Sequence, residues 1–157
     1  MRLVLDTTVI CNFALIERSD WLREVWPGVL VTTQDAMAEL QVGVQLGRIP
    51  ETDYSWLTVL SLTEEERELR DRSMPPLDVG EAACLALARS RGYAFLTDDR
   101  VARREARRWG VPLSGTIGAL MSLIDEGYVS REQADMALQQ MIALGYHSPV
   151  RSLDELS

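Results

Sequence analysis

Two short apolar runs, each ending abruptly in carboxylates and hydroxyls, constrain this chain more than any other feature. Leu3-Val4-Leu5 runs into Asp6-Thr7-Thr8, and Ala94-Phe95-Leu96 runs into Thr97-Asp98-Asp99. A brief apolar run bounded by polar residues and followed by a helical pattern reads as a buried parallel strand. The alternation of strand and helix continues along nearly the whole chain. The expected fold class is therefore α/β, a three-layer α/β/α arrangement around a mostly parallel central sheet. Such sheets bind ligands just outside the carboxyl ends of their strands. Both runs place carboxylates on that edge, and clustered carboxylates there suggest a divalent cation.

The remaining elements follow from periodicity and caps. Val9 to Ile16 and Trp21 to Trp26 read as short helices, and residues 28–31 as a second strand. Thr32-Thr33 caps a helix reaching about Val44, and Leu57 to Leu60 reads as a short strand. Glu64 to Arg72 is a charged helix expected to be solvated. Asp78 to Arg91 is a helix with Glu81 three residues after its cap and Gly92 just past its end. Its centre, Ala82 to Ala88, is apolar on every side and should be buried. A helix from Arg100 to Trp109, a strand at 111–113 and a closing helix pair, the second opened by Ser130-x-x-Gln133, complete the pattern. Residues 1–145 are expected to form one domain, and 146–157 a loosely held tail.

Composition narrows the function. The chain has 157 residues, 16 basic and 24 acidic, for a net charge of −8, and every basic residue is arginine. That balance opposes loose binding of nucleic acid. Residues 89–108 run against it, with seven arginines facing Asp98, Asp99 and Glu105, so that this window is +4 and the rest of the chain −12. A polyanion would have to approach there. No signal-peptide pattern or run of about 18 apolar residues is present, and Cys11 and Cys84 sit in apolar surroundings as free thiols. These features imply a cytoplasmic protein with no membrane partner.

A hard cation such as Mg²⁺ or Mn²⁺ takes carboxylate oxygens and water, with few protein ligands. Asp6 and Asp99, or its neighbour Asp98, end two strands. Glu39 lies mid-helix on a small-residue face, and Glu81 opens the buried helix. Each has a plainer reading: Asp6 or Asp98 as a helix cap, Glu81 as half of a capping box with Asp78, Glu39 as an exposed helix residue. Taken together, several buried carboxylates cost several kcal/mol each unless a cation compensates. Arg100, Arg103, Arg104, Arg107 and Arg108 fall at i, i+3, i+4, i+7 and i+8 and form one stripe, either a solvated basic face or a path for a phosphodiester. The single histidine, His147, has no partner pattern and reads as incidental, which opposes triad catalysis. The chain lacks the lysine of a phosphate-binding P-loop, and no Cys/His spacing suits zinc.

In the order and spacing of Leu5-Asp6-Thr7-Thr8, Ala38-Glu39-Leu40, Gly80-Glu81-Ala82 and Leu96-Thr97-Asp98-Asp99, the chain resembles the PIN-domain family, metal-dependent nucleases that include the VapC toxins of toxin–antitoxin pairs. The likeness is closest to a branch with Gly-Glu-Ala at 80–82, Asp-Asp-Arg-x-Ala-Arg at 98–103 and Gly-Thr-x-Gly at 115–118, and it extends over nearly the whole chain. The resemblance implies a PIN-like fold and a metal-dependent endoribonuclease, the toxin of a toxin–antitoxin pair. It further implies catalysis by Asp6, Glu39, Glu81 and Asp99, with Mg²⁺ or Mn²⁺ on Asp6, Glu81 and Asp98 or Asp99. Thr8 and Thr97 would be hydroxyl supports, and Arg100, Arg103, Arg104 and Arg107 RNA contacts. The implied partners are RNA, an antitoxin protein and a second copy in a homodimer. Two departures stand out: Glu81 where many members carry Asp, and the adjacent pair Asp98-Asp99. The competing readings are a non-catalytic PIN-like interaction protein and a haloacid-dehalogenase-like phosphatase, the latter opposed by Thr8 and the missing lysine.

Overall fold

The computed structural model describes residues 2–156. Five strands, β1 (Leu3–Leu5), β2 (Leu30–Thr33), β3 (Thr58–Leu60), β4 (Ala94–Leu96) and β5 (Leu113–Ser114), form one sheet in the order β3-β2-β1-β4-β5. All four pairings are parallel. The expected second strand is shifted a little toward the C-terminus, so that Thr32 and Thr33 belong to it rather than only capping the next helix.

The strands are too short to hold together without cover, and the side-chain alternation supplies it on both faces. Leu3, Leu5, Leu30 and Leu96 join one core with α1 (Thr7–Leu15), α2 (Ser19–Val25), α7 (Thr116–Asp125) and α8 (Arg131–Ala143). Val4, Val31 and Phe95 point the other way, into a second core with α5 (Val79–Arg91) and α6 (Arg100–Arg108). The result is a three-layer α/β/α fold. The helix α3 (Gln34–Gln45) stands at the edge and gives Leu40 to the first core and Ala36 to the second. The apolar centre of α5, Ala82 to Ala88, is fully buried, as expected of a helix without a polar side.

Two expectations need correction. The helix α4 (Glu64–Arg72) is not wholly solvated: Glu66 is 1% exposed and pairs with Arg91 of α5 at 2.9 Å. The stretch after Tyr146 is not loose. A 3₁₀ turn (Leu153–Leu156) buries Leu153, and the Leu153 backbone N–H donates to Asp135 Oδ1 at 2.8 Å. Arg131 also donates to the Leu153 carbonyl.

Strand order fixes where a ligand can sit. The chain builds β1, β2 and β3 outward in one direction, then returns to lay β4 and β5 on the other side of β1. Connections leaving β1 and β4 therefore diverge, and a crevice opens between their carboxyl ends, the general ligand position of open α/β sheets. Asp6 follows β1 directly, and Thr97 follows β4.

Candidate metal centre and nucleic-acid interface

Asp6 lies at the floor of this crevice, fully buried. Its Oδ1 accepts from the Thr7 backbone N–H at 2.8 Å, and its Oδ2 accepts from the Thr97 hydroxyl at 2.7 Å and the Thr8 hydroxyl at 3.2 Å. The two hydroxyls are themselves tied to the next turn of chain: Thr8 Oγ1 accepts from Asp98 N–H at 3.0 Å, and Thr97 Oγ1 from Asp99 N–H at 3.2 Å. Threonine thus serves as a spacer between the two strand ends, fixing one carboxylate while using up backbone donors. Burial drives the Asp6 carboxyl up to about 7 against the pull of the Thr97 and Thr7 hydrogen bonds, and the like charges of Asp78 and Glu39 add to the rise.

Glu81 enters from the first turn of α5. It forms a capping box with Asp78, with Glu81 N–H donating to Asp78 Oδ1 at 2.9 Å and Asp78 N–H donating to Glu81 Oε1 at 3.2 Å. Asp99 and Asp6 are its acidic neighbours. Of the two alternatives the sequence offers for Glu81, the capping box is formed. Burial first, then the Asp99 contact and the charges of Asp6 and Asp78, push the Glu81 carboxyl up to about 9. Glu39 reaches over from α3. The Thr7 hydroxyl donates to its Oε1 at 3.4 Å, and its Oε2 lies over the Cα of Gly80, where any side chain at position 80 would collide with it. Glu39 is an exposed helix residue, as the plainer reading of the sequence has it, and desolvation of its carboxyl with the charge of Asp78 raises its pKa.

The adjacent pair Asp98-Asp99 is divided by its partners. Asp99 caps α6, its Oδ2 accepting from the Ala102 N–H at 2.8 Å, and also meets Glu81. Asp98 turns the other way. Its Oδ2 accepts from the Asn12 amide at 2.9 Å and from the Thr116 hydroxyl, and its Oδ1 from the Thr116 N–H at 2.9 Å. One carboxylate therefore joins α1 and the N-terminus of α7.

The arginine stripe is similarly divided. Arg100, Arg104, Arg107 and Arg108 are exposed, while Ala102 and Ala106 on the opposite side are buried. Arg103 instead folds inward and donates from Nη1 to the Thr97 carbonyl at 2.8 Å and the Ser114 carbonyl at 3.1 Å, clamping the ends of β4 and β5. Gly115 leaves room for this clamp, since a Cβ there would press on the Thr97 carbonyl, Asp98 and Arg103.

Asn12, Thr116, Tyr146 and Gly80 are site residues that sequence reasoning does not single out. Asn12 carries a usable signal, as the one amide in the otherwise apolar stretch Val9 to Leu15. Thr116 and Gly80 lie inside short motifs whose geometry only the fold discloses.

The donor chemistry fits a hard cation. Asp6, Glu39, Glu81 and Asp99 come from four elements, offer only oxygen, and make no ion pair with arginine among the described residues. Among those residues, no group of three carboxylate, histidine or cysteine side chains is drawn together tightly enough to hold a metal ion as it stands. The carboxylates stand about the crevice and bond to Thr7, Thr8, Thr97, Asp78 and Ala102. Among the described residues no helix is long and apolar enough to cross a membrane.

The family model DUF3368, described as a PIN domain, matches residues 2–156. No curated protein matches the sequence.

Proposed function

This chain belongs to the PIN-domain family, and from that premise we propose that it is an endoribonuclease dependent on Mg²⁺ or Mn²⁺. The observation that carries the reading is the placement about the β1–β4 crevice of buried Asp6 after β1, buried Glu81 in the first turn of α5 and Asp99 at the cap of α6, free of arginine partners among the described residues. Asp6, Glu81 and Asp99 would hold the cation, with Glu39 at its side. Asp98, whose oxygens are committed to Asn12 and Thr116, would build the wall instead. A bound cation supplies an acidic water and offsets charge developing on the phosphate.

The chain's own residues do the rest. Thr97 and Thr8 hold Asp6 in one rotamer, so that its carboxylate is oriented before substrate arrives. The raised affinity of Asp6 and Glu81 for positive charge, as proton or as cation, follows from their desolvation and mutual repulsion. The exposed arginines of α6 begin one residue beyond Asp99 and lead a phosphodiester backbone toward it. No nucleophilic side chain is required.

Cleavage of mixed single-stranded RNAs in Mn²⁺ by the wild type, lost in Asp6→Asn with its fold intact, is the expected result. Equal inertness of both proteins on diverse RNAs would overturn the nuclease reading and favour a partner-binding module, for which the absence of a tight three-carboxylate cage among the described residues speaks. A toxin role, with an antitoxin partner and a homodimer, belongs to this proposal too. Growth arrest on expression, relieved by the product of a neighbouring small reading frame, is its test.

A further inference from the structure

We propose that the cleft between α6 and the C-terminal segment at 146–149 binds the sugar–phosphate backbone of single-stranded RNA beside the carboxylate crevice, with Arg107, Arg100 and His147 as its contacts. The inference rests on the nuclease reading and adds the substrate's path to it. The cleft has a volume of about 980 Å³ and is lined at one end by Asp98 and Asp99 and along its sides by Arg100, Arg103, Arg107 and His147. It is continuous with the proposed metal residues, since Asp99 borders both. A space of that size takes a ligand of many atoms rather than a single ion.

Its charge is selective. Arg103 is committed to the carbonyls of Thr97 and Ser114, and Asp98 is committed to Asn12 and Thr116. Apart from Asp99 at the crevice end, the charge that remains to meet a ligand is basic: Arg100 and Arg107 are exposed and make no ion pair or side-chain hydrogen bond among the described residues. His147 adds a ring N–H donor. On a chain of net charge −8, an anionic strand meets favourable charge here and little elsewhere. The far wall is a built feature, because the segment is anchored beyond it by buried Leu153, whose N–H donates to Asp135. The incidental histidine of the sequence is thereby brought opposite the arginine stripe.

The test separates a cleft from a merely charged helix. Binding of a fluorescent oligouridylate to the Asp6→Asn protein in EDTA is measured by anisotropy over a range of salt. In that background Arg107→Ala/His147→Ala is compared with Arg108→Ala. Arg108 lies on the same stripe, outside the cleft, 70% exposed and paired with Glu105. The double variant is expected to bind roughly tenfold more weakly, its salt slope shallower by about 0.7 because one phosphate is no longer neutralised, and Arg108→Ala to bind within about twofold of the parent. All these side chains are exposed, so thermal unfolding should not move. Equal weakening by both variants, or weakening by neither, overturns the cleft and returns the arginines to a solvated face or to an acidic protein partner. If the parent binds no RNA at any salt, the nuclease reading falls as well.

Discussion

Replacing Gly80 with alanine should silence the nuclease while leaving the fold as stable as before. Gly80 is the second residue of α5, and its backbone is ordinary helix, so its requirement is for space and not for an unusual dihedral angle. A Cβ built on it would overlap the Glu39 Oε2, come within 3.3 Å of the Glu39 carboxyl carbon and stand at a normal 3.6 Å from the Ala36 Cα. The α3 backbone need not move; only the tip of an exposed side chain must. Glu39 can turn into water, giving up a 3.4 Å bond from Thr7 that is worth about 0.5 kcal/mol at most. Alanine returns about 0.5 kcal/mol or slightly more through helix propensity, so the net change in unfolding free energy should lie within about 0.5 kcal/mol of zero. Activity responds differently, because the displaced carboxylate leaves the crevice. Single-turnover cleavage in Mn²⁺ should fall by about tenfold or more, as it should for Glu39→Ala, and the double variant should be no worse than either single one. The pair of measurements is a urea midpoint and a cleavage rate. Full cleavage by Gly80→Ala would refute the placement of Glu39 in the site, and a loss of several kcal/mol of stability would refute the claim that only a side-chain tip is in the way.

Other perturbations test the scaffold. Burial alone would raise the Glu66 carboxyl, but the bonds from Arg91 and the Thr63 N–H outweigh it and bring it down to about 2, from an ordinary 4.5. The pairing therefore stabilises the fold fully above pH 4.5 and loses its effect as pH falls toward 2. Glu66→Gln should cost about 3 kcal/mol at pH 7 and progressively less in urea titrations toward pH 2; a cost that does not change with pH would contradict it. Arg103→Ala should destabilise by about 1–3 kcal/mol through the lost clamp and an unsatisfied Thr97 carbonyl, the Ser114 carbonyl keeping its bond from the Thr97 N–H, against less than about 0.5 for Arg104→Ala on the same helix, read by thermal melts. Leu153→Ala should cost about 2–5 kcal/mol, and a smaller loss would mean that the C-terminal turn is only lightly docked.

Where the sequence is legible, the reason is local. Leu3–Leu5 and Ala94–Leu96 declare themselves as buried strands by composition, and Asp78, Glu81 and Gly92 mark the ends of α5 by their cap chemistry. What stays hidden depends on partners remote in the chain. Asp98 and Asp99 are indistinguishable as neighbours after a strand, and what separates them is Asn12, 86 residues earlier, and Thr116, 18 residues later. Glu66 reads as solvated among its charged neighbours because Arg91, which buries it, lies 25 residues on. Arg103 fits the helical stripe by spacing, yet its guanidinium turns to carbonyls that exist as a pair only once β4 and β5 are side by side. The wall at 146–149 is unreadable for the same reason, since nothing near Tyr146 in the chain announces Asp98.

The threonine bridge between the strand ends has a consequence for synthesis. Asp6 leaves the ribosome 91 residues ahead of Thr97, whose hydroxyl orients it. Glu39 and Glu81 emerge in between, on helices that have as yet no completed sheet to bring them together. A nascent chain that stops short of β4 thus carries three of the four carboxylates with no means of assembling them, and chain length itself serves as the switch that separates an inert fragment from a finished site.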